Sequence, residues 1–163
     1  MDLRKAFVGL IIIGICVIPF VMISYFRVKK EKKMVKSLSN IAKQQNCTIH
    51  ISEICGEHVL GIDETKNFVF FFQQREENEI TQFINLSEVV YCEVVKKIRS
   101  GSNEASNLSF IERVELVFTF TNKKRAPIKL ELFDEEINIQ IRQELLFAEN
   151  WANYINDRLE NDK

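Results

Sequence analysis

Histidine is scarce in this chain, with only His50 and His58 among 163 residues. The sequence holds no Gly-x-Ser-x-Gly, no phosphate-binding glycine loop and no Gly-x-Gly-x-x-Gly. These absences remove the usual nucleophile–base, nucleotide-phosphate and dinucleotide chemistries. The acidic groups Glu76-Glu77 and Asp134-Glu135-Glu136 read as solvated surface, and Asp63-Glu64 as turn residues. No catalytic residue and no cofactor is expected, and the chain reads as non-enzymatic.

Charge is missing altogether from residues 6–26 (AFVGLIIIGICVIPFVMISYF), 21 in succession. As a helix the run is about 31 Å long, enough for one crossing of a bilayer's hydrocarbon core. A cleaved signal peptide has a shorter apolar region and small residues at its cleavage site. This run instead ends in Ser24, Tyr25 and Phe26, followed by basic residues. A lipoprotein signal wants a small residue before Cys16, and Ile15 stands there. A membrane anchor is therefore predicted. Pro19 is tolerable inside it, and Tyr25 and Phe26 fall where an interfacial aromatic belt lies. Gly9 and Gly14 are not at GxxxG spacing, so no helix-dimerisation motif is present.

Charge is also segregated. Residues 1–44 carry nine Lys/Arg and two Asp/Glu, whereas residues 45–163 carry 13 and 21, so net +7 faces net −8. After the span come Arg27, Lys29, Lys30, Lys32, Lys33 and Lys36, opposed only by Glu31. The positive-inside rule puts this side in the cytoplasm. The expected layout is a short extracytoplasmic N-terminus (1–5), a single-pass helix in the cell (inner) membrane (6–26) and a basic juxtamembrane helix or stalk (27–46). A cytoplasmic domain (47–160) and a tail (161–163) follow. The six basic residues are the expected contacts to anionic headgroups, which attract each such charge by about 1 kcal/mol near the surface. An acidic domain repels nucleic acid, so the expected partners are the membrane and another protein. Cys47, Cys55 and Cys92 form an odd set on a reducing side, so no structural disulfide is expected.

From Cys47 onward the hydrophobic period changes to two. Seven strands are predicted at 48–54, 58–62, 68–73, 79–86, 89–98, 110–121 and 127–133. FVFFFQ (68–73) is apolar enough for burial on both faces. In the fifth strand Val90, Cys92 and Val94 are placed on one face and Val89, Tyr91 and Val95 on the other. Residues 99–109 read as a flexible loop. Ile141, Leu145, Ala148, Ala152, Ile155 and Leu159 step at helical spacing beside Trp151, with 134–136 as an acidic helix start.

GIDETKNFVFF (61–71), INLSEVVYCEVV (84–95) and the closing helix with Trp151 carry a resemblance to small bacterial membrane-anchored proteins with a pleckstrin-homology-like domain. The resemblance covers about residues 47–160. It implies a mainly β fold with a C-terminal helix, in which seven antiparallel strands form a partly open barrel capped by that helix. A lipocalin-like small barrel is the alternative. The family often binds phosphoinositides through basic residues between its first two strands. Here that loop is Cys55-Gly56-Glu57, which has none. Lys123, Lys124 and Arg125 form a second basic spot at a turn, read as solubilising charge or, with the basic stalk, as a headgroup sensor. Cys47-x2-His50 and Cys55-x2-His58 have the composition of a zinc site. A strand would point members of each pair to opposite faces, so the metal reading stays subordinate to an ordinary strand.

Overall fold

The computed structural model describes residues 3–75, 78–100, 109–135 and 143–161, with side chains from Val17 onward except those of residues 100, 109 and 110. Nothing between residues 20 and 46 breaks a helix: there is no glycine or further proline. Accordingly α1 runs without interruption over Leu3–Gln44, 42 residues, with Pro19 inside it. It ends where Asn46 takes a left-handed conformation (φ 55°). The Cys47 N–H then donates to the Ala42 carbonyl at 2.8 Å, and Cys47 packs in the same apolar cluster as Ala42. This is the glycine-type helix stop, served here by asparagine.

Seven strands follow: β1 (Ile51–Cys55), β2 (His58–Asp63), β3 (Phe68–Arg75), β4 (Asn78–Asn85), β5 (Val89–Ser100), β6 (Ser109–Phe120) and β7 (Ile128–Asp134). A short 3₁₀ turn, Leu86–Glu88, leads into β5, and α2 spans Glu144–Asn161. All pairings are antiparallel, in one sheet ordered β1-β2-β3-β4 and a second ordered β5-β6-β7. They form no closed barrel. The β1–β2 hairpin turns at Gly56, whose φ of +58° explains a glycine there.

The core lies between the two sheets and α2. Leu60, Ile62, Val69, Phe71 and Ile84 face Leu116, Phe118 and Leu130, and α2 closes the cluster with Ala148, Trp151 and Ile155. Burying each such Leu, Ile or Phe stabilises the fold by about 1.5–3 kcal/mol. The alternate residues of β2 and β3 point the other way. Val59, Phe70 and Phe72 pack against Met34, Leu38 and Ala42 of α1. Gly61 permits this approach, since a Cβ there would sit 2.7 Å from Leu38 Cδ2 and 3.0 Å from Ile49 Cγ2. The burial of FVFFFQ on both faces is thus explained, because one face meets the core and the other meets α1.

Several expectations need correction. Between the two readings of 27–46, helix or stalk, residues 30–44 continue α1, and Met34, Leu38 and Ala42 are buried against the sheet rather than solvated. The first strand starts at Ile51 rather than residue 48, since the segment before it is occupied in ending α1. In β5 a register shift between Val89 and Tyr91 turns Val89 inward beside Cys92 and leaves Val90 exposed; strict alternation had put them on the opposite faces. Asp134 is not a helix start but the last residue of β7, buried and paired to Arg113 at 2.6 Å. Ile141, Glu76, Glu77, Glu136 and most of the 99–109 segment lie outside the described residues, though Arg99, Ser100 and Ser109 belong to strands. Among the described residues, no helix is long and apolar enough to cross a membrane. The side chains of residues 6–16, half of the uncharged run, are outside that description.

Candidate functional site

The sheet edges are not equally open. On β5, the Asn156 side chain of α2 accepts from the Cys92 N–H at 2.9 Å and donates to the Cys92 carbonyl at 2.7 Å. It thereby takes the place of a neighbouring strand. Lys96 adds a 2.8 Å ion pair to Glu149 of the same helix. Edges β4 and β7 share one cleft of about 420 Å³, between Thr81, Gln82 and Phe83 on one side and Ile128 and Lys129 on the other. An Arg75–Glu131 ion pair ties that end together.

The remaining edge strand, β1, meets α2 in a groove of about 270 Å³ lined by Ile51, Glu53, Asn150, Trp151 and Tyr154. Helical spacing brings Trp151 and Tyr154 together, with ring centres 5.9 Å apart and planes at 77°. Trp151 Nε1 donates to Glu53 Oε2 at 3.0 Å, and the Tyr154 hydroxyl donates to Glu64 Oε1 at 2.7 Å. Burial first, then that Glu64 bond, pushes the Tyr154 pKa above its ordinary value. Arg158 fixes the end of α2 by donating to Asn67 Oδ1 at 2.8 Å and to the Glu64 carbonyl. The groove is therefore rigid, aromatic and acidic. Small-molecule pockets measure about 300–1,000 Å³, so this one suits a single side chain rather than a whole metabolite. Sequence pattern found Trp151 as a core residue. The pairings of Glu53 with Trp151 and of Glu64 with Tyr154 span 98 and 90 residues of chain and leave no local signal.

The four zinc-type residues do not converge. Cys47 belongs to the cluster between α1 and the sheet, and Cys55 to the main core on its other side. His50 is half exposed and 3.6 Å from Asp63 Oδ1. His58 is buried, stacked on Phe71 at 5.9 Å, with Nδ1 unpartnered among the described residues. Burial lowers the His58 pKa, and burial raises the Cys55 thiol to about 11. No cluster of three or more His, Cys, Asp or Glu suited to a metal is found among the described residues. Cys47, Cys55 and Cys92 are free thiols, all buried. Asp63 has a structural task. Burial alone would raise its pKa, but N–H bonds from Thr48, Lys66 and Thr65 outweigh that and lower it. It ties the chain leaving α1 to the β2–β3 turn.

The six juxtamembrane cations divide into two groups. Arg27 pairs with Glu31 at 3.1 Å, Lys30 with Glu57 at 2.6 Å, and Lys33 with Glu79 at 3.5 Å. Lys29, Lys32 and Lys36 are exposed. Their spacing of three and four puts them on one stripe of α1, away from Met34 and Leu38. Lys123, Lys124 and Arg125 sit far from these. Their turn adjoins Glu88, which accepts from the Thr121 N–H at 2.8 Å, and Leu86 in turn bonds Asn67 at 2.8 Å. That end of the sheet is where α1 stops, about 21 Å along the helix axis beyond Lys30. Arg125 is engaged as well, pairing with Glu88 and lying 3.8 Å over the Phe120 ring.

No protein-family model matches this chain, and neither a curated protein nor a solved structure matches it.

Proposed function

We propose that this is a single-pass membrane protein whose domain, pleckstrin-homology-like in its strand order and closing helix, serves as a non-enzymatic docking module on the cytoplasmic side. One observation carries the reading. The two halves of α1 make opposite demands. From Met34 to Ala42 it is buried on the sheet, whereas Val17, Ile18, Phe20, Val21, Ile23 and Phe26 are all more than half exposed and point in every direction around the axis. A helix apolar all round calls for an apolar surrounding on every side, which lipid supplies. Since α1 runs without interruption from the apolar run into the stretch buried on the sheet, the helix sets the height of the domain above that bilayer.

The acidic aromatic groove between β1 and α2 is the docking point, and its occupant is a Lys or Arg side chain on an extended segment of a protein partner. Charge supports the choice, because residues 45–163 carry net −8 and Glu53 lines the groove beside the half-buried ring of Tyr154, a face suited to a cation. Trp151 is the sole tryptophan, so its emission reports binding without a label. Full-length protein in lipid nanodiscs is titrated with short extended peptides that differ only in a central Arg or Glu. The Arg peptide is expected to shift the emission and the Glu peptide to leave it unchanged, with Glu53→Gln weakening the Arg peptide about tenfold. Equal responses to both peptides, or none to either, would refute the docking point.

A second reading, a headgroup sensor built on the basic stalk and the Lys123–Arg125 turn, is favoured by the exposed stripe of Lys29, Lys32 and Lys36. The Lys123–Arg125 turn adds less support, since Arg125 is engaged by Glu88 and Phe120.

A further inference from the structure

Where α1 leaves the apolar run, it lines an open cavity of about 630 Å³ together with the β1–β2 hairpin and Gln143. Phe26, Met34 and Ile54 give it an apolar wall, and Arg27, Lys30, Glu31 and Glu57 give it two positive and two negative groups. Its volume is within the range of small-molecule sites, about 300–1,000 Å³. Its depth follows from the helix. Lys30 stands four residues past Phe26, about 6 Å along the axis. The polar layer on each side of a bilayer is about 5–8 Å thick. The Lys30–Glu57 pair therefore lies at headgroup height if the apolar run spans, and in this respect the inference rests on the membrane reading.

The charge pattern narrows the ligand. A purely anionic headgroup would meet two carboxylates at close range, which is unfavourable. A neutral ligand would offer no charge in exchange for the Arg27–Glu31 and Lys30–Glu57 pairs that already satisfy these four groups. A zwitterion satisfies both halves: Arg27 and Lys30 donate to a phosphate, while Glu31 and Glu57 accept from a primary ammonium. Phe26, exposed at the rim, lies where acyl chains would pass. Cys55 also lines the cavity, but burial keeps its thiol protonated near neutral pH, so the site is one of binding and not of covalent chemistry. We infer that this cavity binds one zwitterionic glycerophospholipid carrying a primary-ammonium headgroup, and that the lipid fixes the hairpin against the membrane.

The test uses full-length protein in nanodiscs that mix an anionic glycerol lipid with either an ethanolamine or a choline lipid. Lipid retained per chain is counted by native mass spectrometry. The choline lipid matches in charge but offers no N–H donor to the carboxylates. The expected result is one ethanolamine lipid held per chain, at least tenfold over choline. That preference is lost in Glu57→Gln and, separately, in Lys30→Gln. Both side chains are close to half exposed, so neither change threatens the core, and Glu31→Gln serves as an independent third variant. Equal retention of the two lipids would overturn the site and leave the membrane reading standing. A chain that does not enter nanodiscs would overturn the membrane reading and the site with it. Displacement of the lipid by soluble glycerophosphoethanolamine at equal concentration would overturn the lipid assignment in favour of the water-soluble ester.

Discussion

Val17→Arg together with Val21→Arg is expected to move this protein from the carbonate-resistant membrane pellet to the soluble or aggregated fraction. Both positions are exposed, and neither packs against the domain. A folding defect is therefore not the expected cause. An arginine at Val17, beside the middle of the span, costs about 2.5–3.5 kcal/mol of insertion free energy. One at Val21, nearer the end, adds a smaller cost because its side chain can reach the interface, and together they are enough to reverse the partition of a marginal single span. Lys32→Arg, on the exposed polar stretch, is the control and should change nothing. If the apolar half of α1 were covered by a soluble partner protein, the wild-type chain itself would be released by carbonate, and the arginine pair would only break a complex.

The second large effect concerns the other half of the same helix. Leu38→Ala is expected to destabilise the domain by about 2–5 kcal/mol, as buried Leu-to-Ala changes do. For a chain of this size each kcal/mol lowers Tm by about 2–4 °C. Leu38 is completely buried among Val59, Phe70 and Phe72. Leu146, more than half exposed on α2, is the comparison, and Leu146→Ala should stay within about 0.5 kcal/mol. The contact with Gly61 sharpens the test. Gly61→Ala alone drives its Cβ to 2.7 Å from Leu38 Cδ2, so the Leu38 side chain or α1 itself must give way. In Leu38→Ala/Gly61→Ala that clash is gone, and the new methyl partly fills the space. The double variant should therefore be more stable than the sum of the two single losses. Rescue stays incomplete because Ile49 Cγ2 at 3.0 Å and the Ile51 carbonyl at 3.3 Å remain. Thermal melts of the four proteins close the cycle. Strict additivity would mean that α1 is not seated on Gly61. A practical consequence is that fragments beginning at residue 45 lose part of their own core and are poor substitutes for the whole chain.

Strand and helix identity were legible because the apolar period says directly which residues are shared with a core. Val114, Leu116, Phe118 and Phe120 alternate, and all are buried. The α2 stripe of Ala148, Ala152, Ile155 and Leu159 is buried as its spacing requires. The β5 faces were misread because a bulge leaves no mark on an alternating pattern; Val89 and Val90 are identical residues with opposite fates. The role of 30–44 was legible in part. Met34 and Leu38 stand at helical spacing within a run of lysines, which left a helix or a stalk open and did not say what the apolar stripe would meet. What that stripe needed was a second apolar face to bury against, and it lay in FVFFFQ, whose burial on both sides was expected without identifying what would cover the outer one. The candidate groove was the least legible, since Glu53, Glu64 and Trp151 come from distant parts of the chain and meet only in the fold.

The central claim is that α1 is at once a membrane span and a structural helix of the domain, which sets the domain's height above the bilayer. The most direct measurement is fluorescence quenching by headgroup-labelled lipid in nanodiscs. A fluorophore is placed at Glu57→Cys or at Lys124→Cys, with Cys16 replaced by alanine and the buried Cys47, Cys55 and Cys92 left in place. The hairpin label is expected to be strongly quenched and the Lys124 label, on the end of the sheet where α1 stops about 21 Å beyond Lys30, to be nearly unaffected. Equal quenching at both sites would mean that the domain swings freely or lies on the surface. Quenching at neither would mean that the apolar run does not hold this protein in a membrane at all.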